Sequence, residues 1–365
     1  MNKKRKVIIA VGGTGGHVFP GCNLAKHLLD KDYNVILVSD NRGYKYLTKF
    51  KELNITILPS SPLITKNIVT KVFSLILVLY SILRSLIFLI FNRPSIIFGM
   101  GGYASFPICI AAKFLNIKVI IYENNLIIGK TNKYLLPFSK KIFVSFEELE
   151  GIPSKYNHKK IHIGNIIKKE IISFSKKTLV QTNSQKLNIL ILGGSQAAKI
   201  FAETLPNIFH QCSKQGIDLK IYQQCLSNQN SELEILYKKM NIEFKIFNFS
   251  NNISEYFSKA NLAITRSGSS ILSELTNSNI PFISVPLPTS AENHQLKNAI
   301  FYQKRNLGIL IEEKNLKDEL IHLIKKIKED KTILQNIIKN QTQFSDKKVY
   351  TNIDKALKEI INEKN

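Results

Sequence analysis

The same order of residue types occurs twice in this chain, once near its start and once near its middle. Residues 7–29 contain an apolar strand, a double glycine, a hydroxyl residue and a helix, and residues 187–210 repeat that order. A glycine turn between a buried strand and a helix lets the backbone approach a ligand closely. The repeat predicts two similarly built α/β halves facing each other across a cleft, and 365 residues suffice to give each half its own core.

The stretch that says most about a ligand runs from Asn261 to Ala299 in the second half. Residues 262–265 are typical of a short apolar strand that ends at a loop of serines and glycine, and a helix follows with Ser269 or Ser270 as its N-cap. Free N–H groups and a partial positive charge at such a helix start favour a phosphate or diphosphate. Glu274, about one turn further along, is suitably placed to accept hydrogen bonds from the two neighbouring hydroxyls of a ribose.

A second strand and helix are expected to return to this serine and glycine loop and the helix start after it, which we call the corner. The helix is expected to open at Thr289, with Glu292 three residues later at the capping-box spacing, and Gln295 and Asn298 then face the corner. Taken singly, each of these residues fits any α/β protein, and Glu274 alone would more often be a solvated helix charge than a ligand. The prediction of a binding site therefore depends on their combination.

The first half also has features of a dinucleotide-binding unit. A loop at Gly12 to Gly16 leads into a helix from about Pro20 to Leu29, and the next strand ends at Asp40. The dinucleotide fingerprint requires glycines at G-x-G-x-x-G spacing, whereas the glycines of this loop are followed by His17, with no glycine where the third should lie. The spacing excludes the dinucleotide interpretation.

Motifs in both halves together match the pattern of one enzyme family. Residues 12–20 read GGTGGHVFP, residues 99–107 read GMGGYASFP, and residues 123–132 match a segment written EQNxxxGxxN. In the second half the matching residues are Arg266, Gly268, Glu274, Pro281, Pro286, Pro288, His294, Gln295 and Asn298. This combination resembles the nucleotide-sugar signature of two-domain glycosyltransferases, above all the MurG-type enzymes, which add N-acetylglucosamine (GlcNAc) to lipid I to make lipid II.

The chain departs from the family pattern at a few positions. They are Asn124 for glutamine, Ile166 for proline and Lys168 for arginine in the GNPxR segment, Ala197 for glycine, and Ile271 for threonine. Lys168 keeps a charge for a phosphate but lacks the bidentate fork of arginine. The loss of the threonine hydroxyl at Ile271 removes one further phosphate contact.

The resemblance implies an α/β fold of the GT-B type, with two Rossmann-like doubly wound domains facing a cleft. We expect an acceptor- and membrane-binding domain over residues 1–165, a UDP-GlcNAc-binding domain over residues 166–340, and a helical tail over residues 341–365. The implied activity is an inverting transfer of GlcNAc from UDP-GlcNAc to lipid I, with no metal and no cofactor. Two alternatives stay open: a related enzyme acting on another lipid such as diacylglycerol, and a catalytically idle nucleotide-binding scaffold.

Such a transfer needs a base for the acceptor hydroxyl and stabilisation of the departing diphosphate. His17 is the candidate base, because the pKa of histidine lies near neutrality, although it could instead cap the helix or orient a phosphate. Glu123 is the alternative base or an acceptor anchor. The resemblance assigns Tyr103 to the acceptor and assigns UDP-GlcNAc to Thr14, Gly15, Gly16, Asn125, Lys168, Ser195, Ser250, Ser269, Ser270, Glu274 and Gln295.

A long apolar segment raises the question of a membrane. No acidic residue occurs from Leu53 to Tyr122, and Arg84 is the only charge within Val72 to Phe91. A single span would place the two predicted site regions on opposite sides of the membrane, so we expect a helix, or a helical hairpin broken near Ser81 or Ser85, that dips into the head-group region. An ordinary buried helix is the weaker alternative. The predicted lipid-facing residues are Leu79, Leu83, Arg84 and Phe88.

The overall charge bears on the class of partner. A formal charge of +24 and a pI near 9.7 favour anionic partners, but no nucleic-acid-binding motif is visible and the lysines are spread along the chain. We expect as partners UDP-GlcNAc, lipid I, an anionic membrane surface and other wall-synthesis proteins, and no nucleic acid. The four cysteines lack metal-ligand spacing, and the N-terminal apolar run is too short for a signal peptide. Together with the apolar segment, the resemblance implies a peripheral protein on the cytoplasmic face of the bacterial inner (plasma) membrane.

Overall fold

Residue contacts divide the chain into two units. The computed structural model describes residues 4–62, 67–174, 186–194, 199–248, 250 and 252–362. The first unit contains Met1–Lys168 and Lys348–Asn365, and the second contains Lys169–Lys347. The segment over which we expected a separate helical tail is thus divided between the two units.

The first unit is built on a seven-stranded parallel sheet. Its strands are β1 (Lys6–Ala10), β2 (Asn34–Ser39), β3 (Ile55–Ile57), β4 (Ile96–Gly99), β5 (Lys118–Glu123), β6 (Lys141–Val144) and β7 (Lys160–His162). Their order is β3-β2-β1-β4-β5-β6-β7, and Ile8 of β1 pairs with Ile36 of β2 and Ile97 of β4. The strand order reverses between β1 and β4. Ligands of open α/β sheets bind beyond the carboxyl ends of the strands at such a point.

Helices connect these strands and cover the sheet. They are α1 (Gly15–Asp30), α2 (Asn41–Leu47), α3 (Ile68–Asn92), α4 (Phe106–Phe114) and α5 (Lys130–Leu135). Helix α1 begins at Gly15, earlier than the predicted start near Pro20, because the second half of the glycine loop already has helical geometry. It lies so close to β1 that a Cβ on Gly21 would be 2.2 Å from a methyl carbon of Val11. This close approach fixes the position of the glycine loop above the sheet.

Helix α3 is one continuous helix, so the hairpin alternative is wrong. Its start is closed by a capping box between Asn67 and Thr70. Ser81 and Ser85 donate their hydroxyls to carbonyls four residues back, at 2.7 Å each, and therefore do not interrupt the helix. The face that packs on α4 consists of Ser74, Val78, Ser81, Ser85 and Leu89. By length and composition alone, α3 could cross a membrane.

The second unit repeats the architecture with a six-stranded parallel sheet. Its strands are β8 (Leu187–Leu192), β9 (Leu219–Gln224), β10 (Glu243–Phe247), β11 (Leu262–Arg266), β12 (Phe282–Val285) and β13 (Ile309–Leu310). Its helices are α6 (Lys169–Ser173), α7 (Lys199–Lys214), α8 (Asn230–Lys239), α9 (Ile253–Lys259), α10 (Ser269–Asn277), α11 (His294–Lys304), α12 (Leu316–Glu329) and α13 (Thr332–Gln343). The order β10-β9-β8-β11-β12-β13 reverses between β8 and β11.

The last helix, α14 (Val349–Asn362), packs on the first unit along an apolar face. Tyr350 donates its hydroxyl to the carbonyl of Ile167 at 2.6 Å. Asp354 lies 2.7 Å from Nε2 of His27, which is a buried residue of α1. Helix α14 thereby contacts both the helix that follows the glycine loop and the segment that ends the first unit.

Candidate functional site

Three turns meet at the carboxyl edge of the first sheet, where the strand order reverses. They are residues 12–16 after β1, residues 100–105 after β4, and residues 124–129 after β5. Gly13, Gly101 and Gly102 have positive φ angles of 76°, 93° and 71°, which side chains with a Cβ rarely adopt. The motifs that were singled out in the first half are therefore neighbours in the structure.

His17 lies in the first turn of α1 and packs against the second of these turns. It is half-buried, and a Cβ placed on Gly101 would be 2.9 Å from both Cε1 and Nδ1 of the imidazole. A Cβ on Gly102 would be 3.1 Å from Cδ2 of the same ring. The two glycines leave the space that the His17 side chain occupies at this edge.

Asp40 lies beneath the glycine loop. Its Oδ1 accepts hydrogen bonds from the N–H groups of Gly43 at 2.8 Å and Gly13 at 3.3 Å, and its Oδ2 accepts one from the Tyr103 hydroxyl at 2.9 Å. Both carboxylate oxygens are therefore engaged inside the protein. This contradicts any role of Asp40 in holding a ribose, in agreement with the failed dinucleotide spacing.

Glu123 is 2% exposed at the end of β5, and protein groups hold its carboxylate. Oε1 accepts hydrogen bonds from the main-chain N–H and the side-chain amide of Asn125, at 3.1 Å each. Oε2 accepts from the N–H of Gly129 and the side-chain amide of Asn132, at 2.9 Å each. Four donors to one carboxylate make Glu123 an organiser of the turn that follows it.

The departure at Asn124 has a structural explanation in α1. Pro20 has no N–H to donate to the carbonyl four residues before it, which is that of Gly16. The side-chain amide of Asn124 donates to this carbonyl oxygen at 3.0 Å. The shorter amide of Asn124 thus satisfies the backbone acceptor that Pro20 leaves open.

The departures near the end of the first unit are also accommodated. Ile166 uses the N–H that a proline would lack, donating to the hydroxyl of Tyr122 at 3.0 Å. Lys168 is half-buried two residues later. In the glycine loop itself, Thr14 and Gly16 are exposed and Gly15 is buried.

The corner of the second unit begins at the carboxyl end of β11. Gly268 is the N-cap of α10, and Ser269 is the first helical residue. The prediction that Ser269 or Ser270 caps the helix is therefore wrong, because the extended conformation of an N-cap falls on Gly268, at φ −68° and ψ 136°. Ser269 is buried, while Ser270 and Glu274 are half-buried.

The helix after β12 also starts later than expected. A 3-10 turn covers Ala291–Asn293, with Glu292 and Asn293 at positive φ angles of 52° and 53°, and α11 begins at His294. The predicted capping box from Thr289 to Glu292 is therefore wrong, because Glu292 lies in the turn that precedes the helix. The change of start leaves the direction of the following side chains as predicted.

Gln295 and Asn298 do turn back to the corner. Oε1 of Gln295 accepts hydrogen bonds from the N–H groups of Leu287 at 2.9 Å and Ser267 at 3.2 Å. The side-chain amide of Asn298 donates to the carbonyl of Ser267 at 3.2 Å. Two residues of α11 thus join the loop after β11 to the loop after β12.

Arg266 is engaged by the protein around it. Its Nη1 donates to the carbonyls of Val285 and Pro286, at 3.3 Å each, and its Nη2 lies 2.5 Å from a carboxylate oxygen of Glu313. Its guanidinium carbon is 5.1 Å from the centre of the Phe201 ring. Although the residue belongs to the predicted sugar-nucleotide signature, its side chain fastens the two loops of the corner together.

The remaining predicted site residues lie partly within and partly outside the described ranges. Ser195 and Ala197 lie outside the described residues, and Gly194 just before them has a positive φ of 75°. Ser250 and Ile271 are half-buried. Within the described ranges, no cluster of histidine, cysteine and carboxylate side chains could hold a metal ion.

Comparison with known proteins gives the family. Residues 7–144 match the glycosyltransferase family 28 N-terminal domain, and residues 188–353 match the glycosyltransferase family 28 C-terminal domain. A protein of Pelagibacter ubique is 35% identical over 100% of both chains, and one of Francisella tularensis is 31% identical over 99% of both. Both are called UDP-N-acetylglucosamine–N-acetylmuramyl-(pentapeptide) pyrophosphoryl-undecaprenol N-acetylglucosamine transferase.

Solved structures support the architecture. Acinetobacter baumannii MurG superposes with a TM-score of 0.76 at 22% identity, over 97% of this chain and 99% of that one. The UDP-bound MnaA of S. aureus gives 0.69 at 15% identity, over 98% and 97%. At these identities the likeness concerns the fold, which is the GT-B type expected from the motifs. The two matched domains and the full-length relatives show that this chain belongs to glycosyltransferase family 28.

Proposed function

We propose that this protein transfers GlcNAc from UDP-GlcNAc to the undecaprenyl-diphosphate-linked muramyl pentapeptide, lipid I, to give lipid II. The observation that carries the proposal is full-length similarity, at 31–35% identity, to relatives named for this reaction. The reversal point of each sheet also carries the turns and polar groups that a diphosphate substrate requires.

The second unit supplies the donor site in this proposal. Helix α10 directs its first N–H groups, at Ser269 and Ser270, toward the loop side of the sheet, where they can bind a diphosphate. Glu274, one turn along the same helix, holds the ribose hydroxyls. Gln295 has its oxygen committed to two main-chain N–H groups, so it offers its amide N–H groups to the donor. Ser195 and Ser250 complete the assignment in this unit, and Lys168, the last residue of the first unit before α6, keeps its predicted role toward a phosphate.

The first unit supplies the acceptor site and the base. The acceptor oxygen attacks the anomeric carbon of GlcNAc, the bond from that carbon to the diphosphate oxygen breaks, and UDP leaves with the electron pair. His17 takes the hydroxyl proton. Glu123 is the weaker candidate, because taking up a proton would displace at least one of its four donors. Tyr103 contacts the acceptor, while Thr14, Gly15 and Gly16 at the start of α1 contact UDP-GlcNAc.

The assay is GlcNAc transfer by the purified protein with UDP-GlcNAc and lipid I in detergent micelles, followed as UDP release and as lipid II formation. We expect turnover with lipid I and none with diacylglycerol. Turnover only with diacylglycerol would replace the proposed acceptor. Binding of UDP-GlcNAc without turnover on either lipid would instead indicate the idle scaffold, for which Ile166, Lys168, Ala197 and Ile271 would be the first residues to restore.

We also propose that the protein docks reversibly on the cytoplasmic membrane surface through α3. Leu79 and Leu83 are 59% and 56% exposed, and Phe91 at the end of the helix is 82% exposed. Arg84 is exposed beside them and can meet an anionic lipid. Phe88 is only half-buried and packs against the core of the first unit, so its removal would disturb the fold. The apolar side chains and the cation together suit the head-group region.

Sedimentation with anionic phospholipid vesicles tests the docking. Replacing Leu79 and Leu83 with serine should lower the bound fraction severalfold, and high salt should lower it further by screening the cations. Ile235→Ser is the control, because Ile235 is 66% exposed on α8 of the second unit. A protein that resists both salt and alkaline extraction, and leaves a protease-protected fragment in sealed vesicles, would instead span the membrane.

A further inference from the structure

Asp40 accepts more hydrogen bonds than the cap of a helix requires. Asp40 is the N-cap of α2, and its bond from the N–H of Gly43 is the usual capping bond. Its bonds from Gly13 and from the Tyr103 hydroxyl come from two other turns and contribute nothing to capping α2. One carboxylate, 5% exposed, therefore holds three separate segments of the first unit.

The surrounding backbone is built to admit this carboxylate. A Cβ on Gly12 would be 2.7 Å from Oδ1 of Asp40, and a Cβ on Gly43 would be 3.0 Å from the same oxygen. That Cβ of Gly43 would also be 2.8 Å from the Cα of Gly12. Only glycine at both positions lets the glycine loop and α2 close around Asp40.

The bonds of Asp40 reach the two turns that face the substrates. Gly13 has a φ of 76°, and its N–H points inward to Asp40, so the orphan N–H groups of the helix start are those of Gly15 and Gly16. Tyr103 follows the second glycine turn, and its hydroxyl also accepts a hydrogen bond from Nη1 of Arg42 at 3.3 Å. Asp40 thus sets where the glycine loop and the tyrosine lie relative to each other.

We propose that Asp40 is a positioning residue for the transfer reaction, holding the 12–16 loop and Tyr103 in one arrangement through its two carboxylate oxygens. It acts through these groups and does not itself touch a substrate, since both oxygens are engaged. The proposal rests on the proposed function for its kinetic consequence. The link between Asp40 and Tyr103 can be tested without any turnover.

The kinetic test compares Asp40→Asn, Tyr103→Phe and the double variant with the unmodified protein. Asp40→Asn should lower kcat/KM for lipid I on the order of tenfold, because hydrogen bonds to a charged group are lost. In the double variant the two effects should not multiply, since both break the same bond. Asp32→Asn is the control, because Asp32 is an exposed acid just before β2, the strand that Asp40 follows.

The second test follows the Tyr103 hydroxyl itself. Burial and the Asp40 carboxylate raise the pKa of Tyr103 above its ordinary value. In protein labelled with ¹³C at the tyrosine ring, the resonance missing from Tyr103→Phe identifies Tyr103, and its titration gives the pKa. Asp40→Asn should lower this pKa, while Asp32→Asn should not change it.

The results test the Asp40–Tyr103 link, the positioning role and the proposed function separately. An unchanged Tyr103 titration in a folded Asp40→Asn protein would overturn the link, as would independent, multiplying effects of the two substitutions. Acceptor kinetics within twofold of the unmodified protein would overturn the positioning role. If the unmodified protein itself turned over no lipid I, the proposed function would fail, and the titration would still decide whether Asp40 holds Tyr103. Equal losses of thermal stability in Asp40→Asn and Tyr103→Phe, with normal acceptor kinetics, would reduce Asp40 to a structural residue.

Discussion

Gln295 offers the sharpest test of the proposed donor site, because its amide oxygen and its amide nitrogen have different proposed functions. Its oxygen accepts hydrogen bonds from Ser267 and Leu287 at 3.2 and 2.9 Å. Since both partners are main-chain N–H groups, the oxygen and nitrogen of the amide cannot be exchanged. In the proposed donor site, the amide nitrogen is the end of Gln295 that binds UDP-GlcNAc. Substitutions can therefore remove one function and keep the other.

Two substitutions at Gln295 should separate these functions. Gln295→Leu leaves two main-chain N–H groups without their acceptor. Because each hydrogen bond contributes about 0.5 to 1.5 kcal/mol, we expect the free energy of unfolding to fall by about 1 to 3 kcal/mol. Gln295→Glu keeps the acceptor oxygen and should preserve the free energy of unfolding. It replaces the amide N–H donors by a carboxylate, so the Kd for UDP-GlcNAc should rise about tenfold or more.

Urea unfolding and calorimetric titration with UDP-GlcNAc measure the two quantities. Gln303→Glu, which makes the same change at an exposed position of α11, is the matched control and should alter neither. If Gln295→Glu bound the donor normally, the amide nitrogen would have no part in the site. If Gln295→Leu unfolded like the unmodified protein, the two hydrogen bonds would not hold the corner together.

Three further changes test other parts of the structure. Arg266→Lys should lower the free energy of unfolding by about 1 to 3 kcal/mol in urea, because an ammonium cannot reach two carbonyls and Glu313 together; unchanged unfolding would contradict the fastening role. Glu274→Ala should weaken UDP-GlcNAc binding in calorimetry by roughly 1.5 to 3 kcal/mol, and normal affinity would return Glu274 to a surface charge. Burial raises the pKa of both Cys22 and Cys109 to about 12, so at pH 8 they stay protonated and iodoacetamide should modify them, by mass spectrometry, only after unfolding; modification of the folded protein would contradict their burial.

The fold could be predicted because its signals are local and repeated. Buried parallel strands are continuous runs of Val, Ile and Leu, and each is followed by a turn whose glycines mark the sheet edge. The same turns identified the sheet edge of the candidate site. A strand such as Ile96–Gly99 and the glycine turn after it needed no distant contact to be recognised.

Helix starts were predicted less well, because capping depends on backbone geometry as well as on residue type. Serine is a favoured N-cap, yet Gly268 takes that position in α10. Thr289 and Glu292 have the capping-box spacing, yet a 3-10 turn intervenes. Ser81 and Ser85 suggested a break, although a serine inside a helix can satisfy its hydroxyl on its own backbone. Residue type alone does not distinguish these outcomes.

The roles of buried charges were hidden from the sequence for a different reason. Glu123 and Arg266 end strands and Asp40 directly follows one, and sequence patterns favour a ligand-binding role at such positions. In the structure the Tyr103 partner of Asp40 and the Glu313 partner of Arg266 lie far along the chain, while the partners of Glu123 lie in the turn that follows it and in α5. The four hydrogen bonds that the Glu123 carboxylate accepts hold the turn after β5 in shape. A base must be free to take up a proton in each turnover, so the four hydrogen bonds to Glu123 favour His17, at the same edge, for the proton transfer that we propose.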